Sequence, residues 1–251
     1  MGEADLGEFP VLEFRRYRIS PEERGHFAQY FDSYFPEAIQ QAGALVLGQF
    51  LERGNVAGFT WIRGFRDMEG RAAANTALYD GAVWREHRTR MNEHMLDHTN
   101  VLLLHPVRGH RGLTVLPSVD PVREARSARG VIVAQVFAVN AGAVEEFFGA
   151  AESAFSTYRS SSVREVGVLR SLDVANNYPR LPFRTDGPYV VWLGMIENDA
   201  ALRDRFQPAA EAARAALENG ALLRGPPELI VMDPTARSRL RWLPTVQVAP
   251  L

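Results

Sequence analysis

The chain has 251 residues, 46% of them hydrophobic and 23% charged, which is room for two ordinary domains at a globular composition. A formal net charge of −2 leaves no overall field to recruit nucleic acid or acidic lipid. Cysteine and lysine are both absent, which excludes disulfides, thiolate metal sites, cysteine nucleophiles and lysine Schiff bases.

Met1-Gly2-Glu3-Ala4-Asp5 lacks the basic start and apolar run of a signal peptide. No stretch approaches the ~20 apolar residues of a membrane helix. The expectation is a cytoplasmic protein without membrane or nucleic-acid partners. The basic runs Arg108 to Arg111 and Arg237 to Arg241 read as solvated loop faces.

Phe9 to Ile19 alternates and is rich in strand formers, predicting a first strand. Ser20-Pro21-Glu22-Glu23 is a helix start, with a capping serine, proline in the first turn and a glutamate three residues on. Phe27, Phe31, Tyr34 and Ala38 follow at helical spacing, with Pro36 as a potential kink and Gly43 as the stop. Ala44 to Leu51 and Phe59 to Phe65 read as strands joined at Gly54-Asn55. Helical sequence runs from Asp67 to Tyr79 and again from Trp84 to about His98, and Val101 to His105 closes the first half as a strand.

Residues 107 to 130 read as a connector with a short extra strand. The second half repeats the order. It has a strand at Val131 to Val139, then a helix through Val144, Phe148, Ala151, Phe155 and Tyr158. Strands follow at Val166 to Leu172 and Tyr189 to Ile196, then a helix split near Pro208 and a strand at Leu229 to Asp233. Val101-Leu102-Leu103-Leu104-His105-Pro106 answers to Leu229-Ile230-Val231-Met232-Asp233-Pro234. Leu113-Thr114-Val115-Leu116-Pro117 answers likewise to Leu240-Arg241-Trp242-Leu243-Pro244, and Trp61 stands opposite Trp192. A repeat this long exceeds the ~20–45 residues of a solenoid unit. The order is β-α-β-β-α-β twice, an α+β, ferredoxin-like arrangement over residues 9–118 and 129–245. Each sheet would carry both helices on one face and need its other face covered, which the second copy can do by closing a barrel.

Strand alternation separates Leu12 and Phe14 from Glu13, Arg15 and Tyr17. The expectation is that Leu12 and Phe14 face the helices and the polar set faces the space between the sheets. There Arg15 would hold an oxygen substituent while Tyr17 or Glu13 moves a proton; a structural Glu13–Arg15 ion pair is the alternative. Trp61 and Arg63 share a face of the third strand and would add an aromatic wall and a second cation, although Trp61 is as readily core. His87, His94 and His98 form a stripe on the predicted helix, in which His94 is a candidate acid or base. His94 and His98 have zinc-ligand spacing but no third ligand, so no metal is expected. The long loop with Asn177-Tyr178-Pro179-Arg180-Leu181-Pro182 could carry Tyr178 and Arg180 over a cavity mouth, or pack onto another subunit.

Glu13-Phe14-Arg15-Arg16-Tyr17 resembles the opening of the NIPSNAP family, whose first strand typically carries Glu-Leu-Arg-x-Tyr. The resemblance continues through Pro36, Gly43, Gly48, Trp61-Ile62-Arg63-Gly64-Phe65, Arg71, Tyr79, Trp84 and Asn92. It implies the dimeric α+β barrel superfamily, which includes cofactor-free monooxygenases, isomerases, haem-degrading enzymes and haem-bearing dehydratases. It carries the family's Glu-Arg-Tyr positions onto Glu13, Arg15 and Tyr17, a pattern the second half lacks. The resulting expectation is a barrel that binds a hydrophobic metabolite with an oxygen substituent, as a cofactor-independent enzyme of monooxygenase, isomerase or proton-transfer type. The alternatives are a non-catalytic interaction protein and a haem-binding barrel with His94 or His98 as ligand. A small-molecule ligand and a homodimer are the partners left open.

Overall fold

The computed structural model describes residues 9–107, 113, 115–120, 129–161, 163–217 and 222–243. Arg108 to Arg111, Thr114, and residues 244 and 245 of the second expected unit lie outside the described residues.

The first half is β1 (Val11–Ile19), α1 (Arg24–Gln41), β2 (Leu45–Glu52), β3 (Gly58–Phe65), α2 (Met68–Tyr79), α3 (Ala82–Glu93) and β4 (Met95–Pro106). The second is β5 (Val131–Ala138), α4 (Val144–Ser160), β6 (Arg164–Ser171), β7 (Tyr189–Ile196), α5 (Asp199–Ala201), α6 (Gln207–Leu217) and β8 (Glu228–Pro234). A π-helical turn, Leu202–Phe206, joins α5 to α6. Ser20 leads into a short 3-10 turn, Pro21–Glu23, before α1, and its side chain makes no capping bond. Its carbonyl accepts the Glu23 N–H instead, at 2.9 Å. Pro36 sits inside α1 without ending it. Gly43 ends the turn after α1 in the left-handed region, φ 100°, where a side chain would be strained.

The strands close into one antiparallel barrel in the order β1-β3-β2-β8-β5-β7-β6-β4. Each half contributes four neighbouring strands in equivalent order, and two seams, β2 with β8 and β4 with β6, join them. Register matches between the halves. Arg15 lies opposite Trp61 on β1 and β3, and Gln135 opposite Trp192 on β5 and β7. A register shift between Val46 and Gly48 has its counterpart between Glu165 and Gly167.

Alternation then sorts the side chains into three cores. The barrel interior is shared between the halves and apolar. Leu12, Phe14, Leu45, Leu47, Phe50, Ile62, Leu102 and Leu104 meet Ile132, Ala134, Leu169, Val191, Leu193 and Met232 there. The outer face of each half packs under its own helices: Val11, Tyr17, Phe59 and Trp61 against α1 and α2, and Val133, Phe137 and Trp192 against α4 and α6.

This overturns the expected orientation of the first strand. Leu12 and Phe14 fill the barrel, and Glu13, Arg15, Tyr17, Trp61 and Arg63 lie on the helix side. The reason is compensation. The interior face meets only the apolar face of the other half, whereas the helix face can receive polar partners from α2.

The expected long helix to His98 is also shorter. α3 stops at Glu93, and Met95 to Pro106 extends along β1, with Met95 opposite Ile19 and Asp97 opposite Arg18. Of the connector, Leu113, Val115 and Leu116 pack against the barrel core. The second apolar run of the later half, Leu240 to Leu243, is irregular chain that hydrogen-bonds to Leu47 and Arg129. Within the run expected as a solvated face, Arg241 is buried and donates to the carbonyls of Pro117 at 2.9 Å and Arg239 at 3.0 Å.

Candidate functional site

Under the helices of the first half, one carboxylate meets three guanidinium groups. Glu13 on β1 accepts from Arg15 Nη1 at 2.8 Å and from Arg63 Nε at 2.7 Å on one oxygen. Its other oxygen accepts from Arg71 Nε at 2.7 Å. All four residues are almost fully buried, none more than 1% exposed. Glu13 and Arg63 are cross-strand partners, Arg15 is two residues along β1 on the same face, and Arg71 comes down from the first turns of α2. Asp67 anchors that helix by accepting from Gly70 N at 2.6 Å.

Burial pushes the Glu13 carboxyl up, but Arg63, Arg15 and Arg71 outweigh it and hold the group well below the usual carboxylate range. Glu13 is therefore ionised at neutral pH and has no spare basicity. Burial would lower Arg15, and the facing Tyr17 and Glu13 reverse that and raise it. Tyr17 accepts from Arg15 Nε at 2.9 Å. Arg15 and Arg63 both lie against the Trp61 ring, at 5.5 and 5.2 Å from its centroid. Tyr79 at the end of α2 borders the group, and burial raises its phenol above the ordinary value, so it stays protonated.

Three buried cations against one carboxylate leave two positive charges without a counter-ion in the cluster. Several polar atoms there are also unpaired. Arg63 Nη2, Arg71 Nη2, Trp61 Nε1, both amide atoms of Asn75 and the Tyr178 hydroxyl are buried without a hydrogen-bond partner. Asn75 lies one turn beyond Arg71 on the buried stripe of α2. Orphaned donors of this kind are uncommon and individually costly, about 1–3 kcal/mol each. Five of the six are donors, and beside an excess of positive charge they describe a place prepared for acceptor oxygens.

The loop of residues 172–188, between β6 and β7, reaches from the second half to cover this group. Asn176 and Asn177 accept from Arg71 Nη1 at 3.1 and 3.0 Å, and the Asn177 amide donates to the Met68 carbonyl. The Tyr178 ring stacks on Tyr79 at 6.3 Å, and Phe183 lies against the Arg71 guanidinium at 5.4 Å. Arg184 N is fastened to the Val101 carbonyl at 2.8 Å.

Seven of the eight residues singled out from the sequence are thus brought to one region or to its lid. Glu13, Arg15, Tyr17, Trp61 and Arg63 form it, and Tyr178 reaches in. Arg180 stays outside and pairs with Asp80 at 2.9 Å on the exposed side of the lid. His94 does not join it. It caps the end of α3, with Glu93 at 3.7 Å and Glu23 at 3.9 Å as its charged neighbours. The expected histidine stripe is dispersed. His87 bonds Tyr30 at 2.6 Å and stacks on Tyr34, and His98 sits exposed on β4, edge-on to Tyr17 at 6.3 Å. Among the described residues no three metal-ligating side chains come together.

Arg71, Asn75, Tyr79, Asn176 and Asn177 were not assigned to the site from sequence. The signal on α2 was available, since Arg71 and Asn75 sit at helical spacing with the buried Ala74 and Leu78. A cation and an amide on an apolar stripe need partners. Among the described residues the second half has no equivalent cluster. Gln135 stands where Arg15 does, and Phe137, Phe155, Tyr158, Trp192 and Phe206 fill the corresponding space.

A family model described as NIPSNAP matches residues 12–108. Comparison with curated proteins gives no match. Among solved structures, an anthrone oxidase-like protein aligns at TM-score 0.58 and 15% identity, covering 93% of this chain and 94% of its own. A candidate monooxygenase from Lactobacillus acidophilus aligns at TM-score 0.53 and 14% identity, covering 92% and 97%. A mutant chlorite dismutase from Candidatus Nitrospira defluvii aligns at TM-score 0.50 and 13% identity, covering 90% and 93%. At such identities the likeness is one of fold. The family match is confined to residues 12–108, and the chain as a whole folds as an α+β barrel whose eight strands come from one polypeptide.

Proposed function

We propose that the protein binds a small apolar molecule through a carboxylate, enolate or phenolate oxygen, in the space between β1, β3 and α2 beneath the 172–188 loop. The observation that carries this reading is the pair of unbalanced buried charges with unpaired donors, Arg63 Nη2 and Arg71 Nη2 foremost, beside Glu13. Glu13 orients the arginines through their Nε atoms and leaves these outer nitrogens for the ligand. Trp61, Tyr79 and Phe183 supply apolar walls.

The same charge excess favours the ionised form of an acidic C–H or O–H group. Cofactor-independent chemistry on an enolisable or phenolic metabolite is the reaction type that this arrangement supports. Proton transfer by Glu13 is not supported, because three guanidiniums hold it ionised. Tyr17 and Tyr79 remain as hydroxyl groups at the edge of the site. Haem ligation through His94 or His98 finds no support either: one is held among glutamates at the end of α3 and the other faces solvent.

Calorimetric titration of the full chain with 2-naphthoate, 2-naphthol and inorganic phosphate tests the reading. Naphthoate binding near one equivalent is expected, weakened tenfold or more by Arg63→Met and by Asn75→Ala. If none of the three probes binds, or if naphthoate binds the variants as well as the parent, the cluster is structural and the proposal fails.

A further inference from the structure

The second half has an opening of its own, beside its aromatic core. A cleft of about 430 Å³ lies between one face of α6 and the outer surface of β5 and β8. Gln207, Ala210 and Arg214 recur along that face at helical spacing, and Gln135 and Leu229, cross-strand partners on β5 and β8, face them. The volume falls within the ~300–1,000 Å³ of small-molecule pockets.

Gln135 is what makes this more than a gap. It is 6% exposed, and its Oε1 accepts from the Tyr158 hydroxyl at 2.8 Å. Burial pushes that phenol up to about 12, against the weaker lowering by Gln135, so it remains a donor throughout the physiological range. With Oε1 engaged, the amide N–H₂ is the group Gln135 has left for the cleft it lines, and it has no partner among the described residues. A largely buried amide held by one hydrogen bond lines a cleft that also presents Leu229, 39% exposed, as an apolar wall. The ionised groups at the rim, Glu211 and Arg214, stand 3.9 Å apart and offset each other. Where the first half collects cations, this floor is neutral.

We propose that this cleft is a second, separate binding site, selective for a neutral and largely apolar molecule whose carbonyl oxygen accepts from Gln135. The helix–sheet regions of the two halves then serve different chemistry. One is cationic, closed and roofed by the 172–188 loop; the other is neutral and open along α6. Their ligands would not compete.

The probe for the test is 6-propionyl-2-dimethylaminonaphthalene, a neutral naphthyl ketone whose emission shifts to the blue when it leaves water. Titration into the full chain should show saturable, blue-shifted emission at one equivalent. Leu229→Glu places a charge on the exposed wall, and Ala210→Trp fills the cleft from the helix. Each should weaken binding tenfold or more while leaving the far-ultraviolet circular dichroism unchanged. If Ala210→Trp fails to fold, Leu229→Glu alone decides, because that side chain already meets solvent. Binding should persist in Arg63→Met and in saturating 2-naphthoate. Emission that never saturates, affinity unchanged in Leu229→Glu, or displacement by 2-naphthoate would each overturn the proposal.

Discussion

Replacing Glu13 with glutamine would leave Arg15, Arg63 and Arg71 buried without their common counter-ion. Breaking a buried ion pair from one side costs about 3–5 kcal/mol, and here one side chain serves three partners. We expect Glu13→Gln to lower the denaturant midpoint by an amount at the top of that range or to prevent folding, and urea titration measures it. The pH dependence has a definite sign. The folded carboxyl titrates below its unfolded value of ~4.3, so the unfolded chain takes up the proton first. The stabilisation is complete above about pH 5 and declines as acid is added below about pH 4. Urea midpoints followed from pH 7 to pH 3 should fall steeply for the parent chain and less steeply for the variant. Equal slopes would mean that Glu13 is not the group responsible. The sequence showed this residue to be exceptional through alternation alone, which set Glu13, Arg15 and Tyr17 apart from Leu12 and Phe14. Alternation is silent about which set meets which layer. Only Arg71, 58 residues away from Glu13, decides that.

At the scale of elements, the 172–188 loop is held to α2 chiefly by Asn176 and Asn177 on Arg71. Hydrogen bonds to a charged group contribute about 1.5–3 kcal/mol each, and 1.4 kcal/mol is a factor of ten in an equilibrium. The double substitution Asn176→Ala with Asn177→Ala should therefore speed tryptic cleavage after the exposed Arg180 and Arg184 about a hundredfold or more, read as a time course of fragments at neutral pH. A cleavage rate equal to the parent's would show that the loop is held elsewhere. The histidines illustrate what element-level reading missed. Trp84 to His98 has no glycine or proline to stop a helix, and Asp97, His98 and Asn100 are poor strand formers. β1 overrides both tendencies, because its nine residues need a hydrogen-bonding neighbour and β4 extends back to Met95 to supply one. The strands with strong apolar alternation, by contrast, were legible to within a residue or two. Tyr189–Ile196 was legible to the residue.

At the scale of the molecule, neither half has an independent inside. The core formed by Leu12, Phe14, Phe50, Ile62 and Leu104 is completed by Ile132, Val191, Leu193 and Met232. A fragment of residues 1–118 would expose that face, and we expect it to aggregate or to form a homodimer that imitates the missing half. Light scattering coupled to size exclusion distinguishes these outcomes from a compact monomer, which would contradict the shared core. The doubled order of elements and the unsatisfied sheet faces made this architecture readable from sequence. The closure of the barrel through the β2–β8 and β4–β6 seams has a further consequence. In an assembly of two identical chains, every substitution is made twice, and a residue that improves one pocket is imposed on its twin. Here Arg15 and Gln135 occupy matching positions on separate stretches of one chain. Each can change without the other, so a barrel with near-twofold geometry is free to divide its labour.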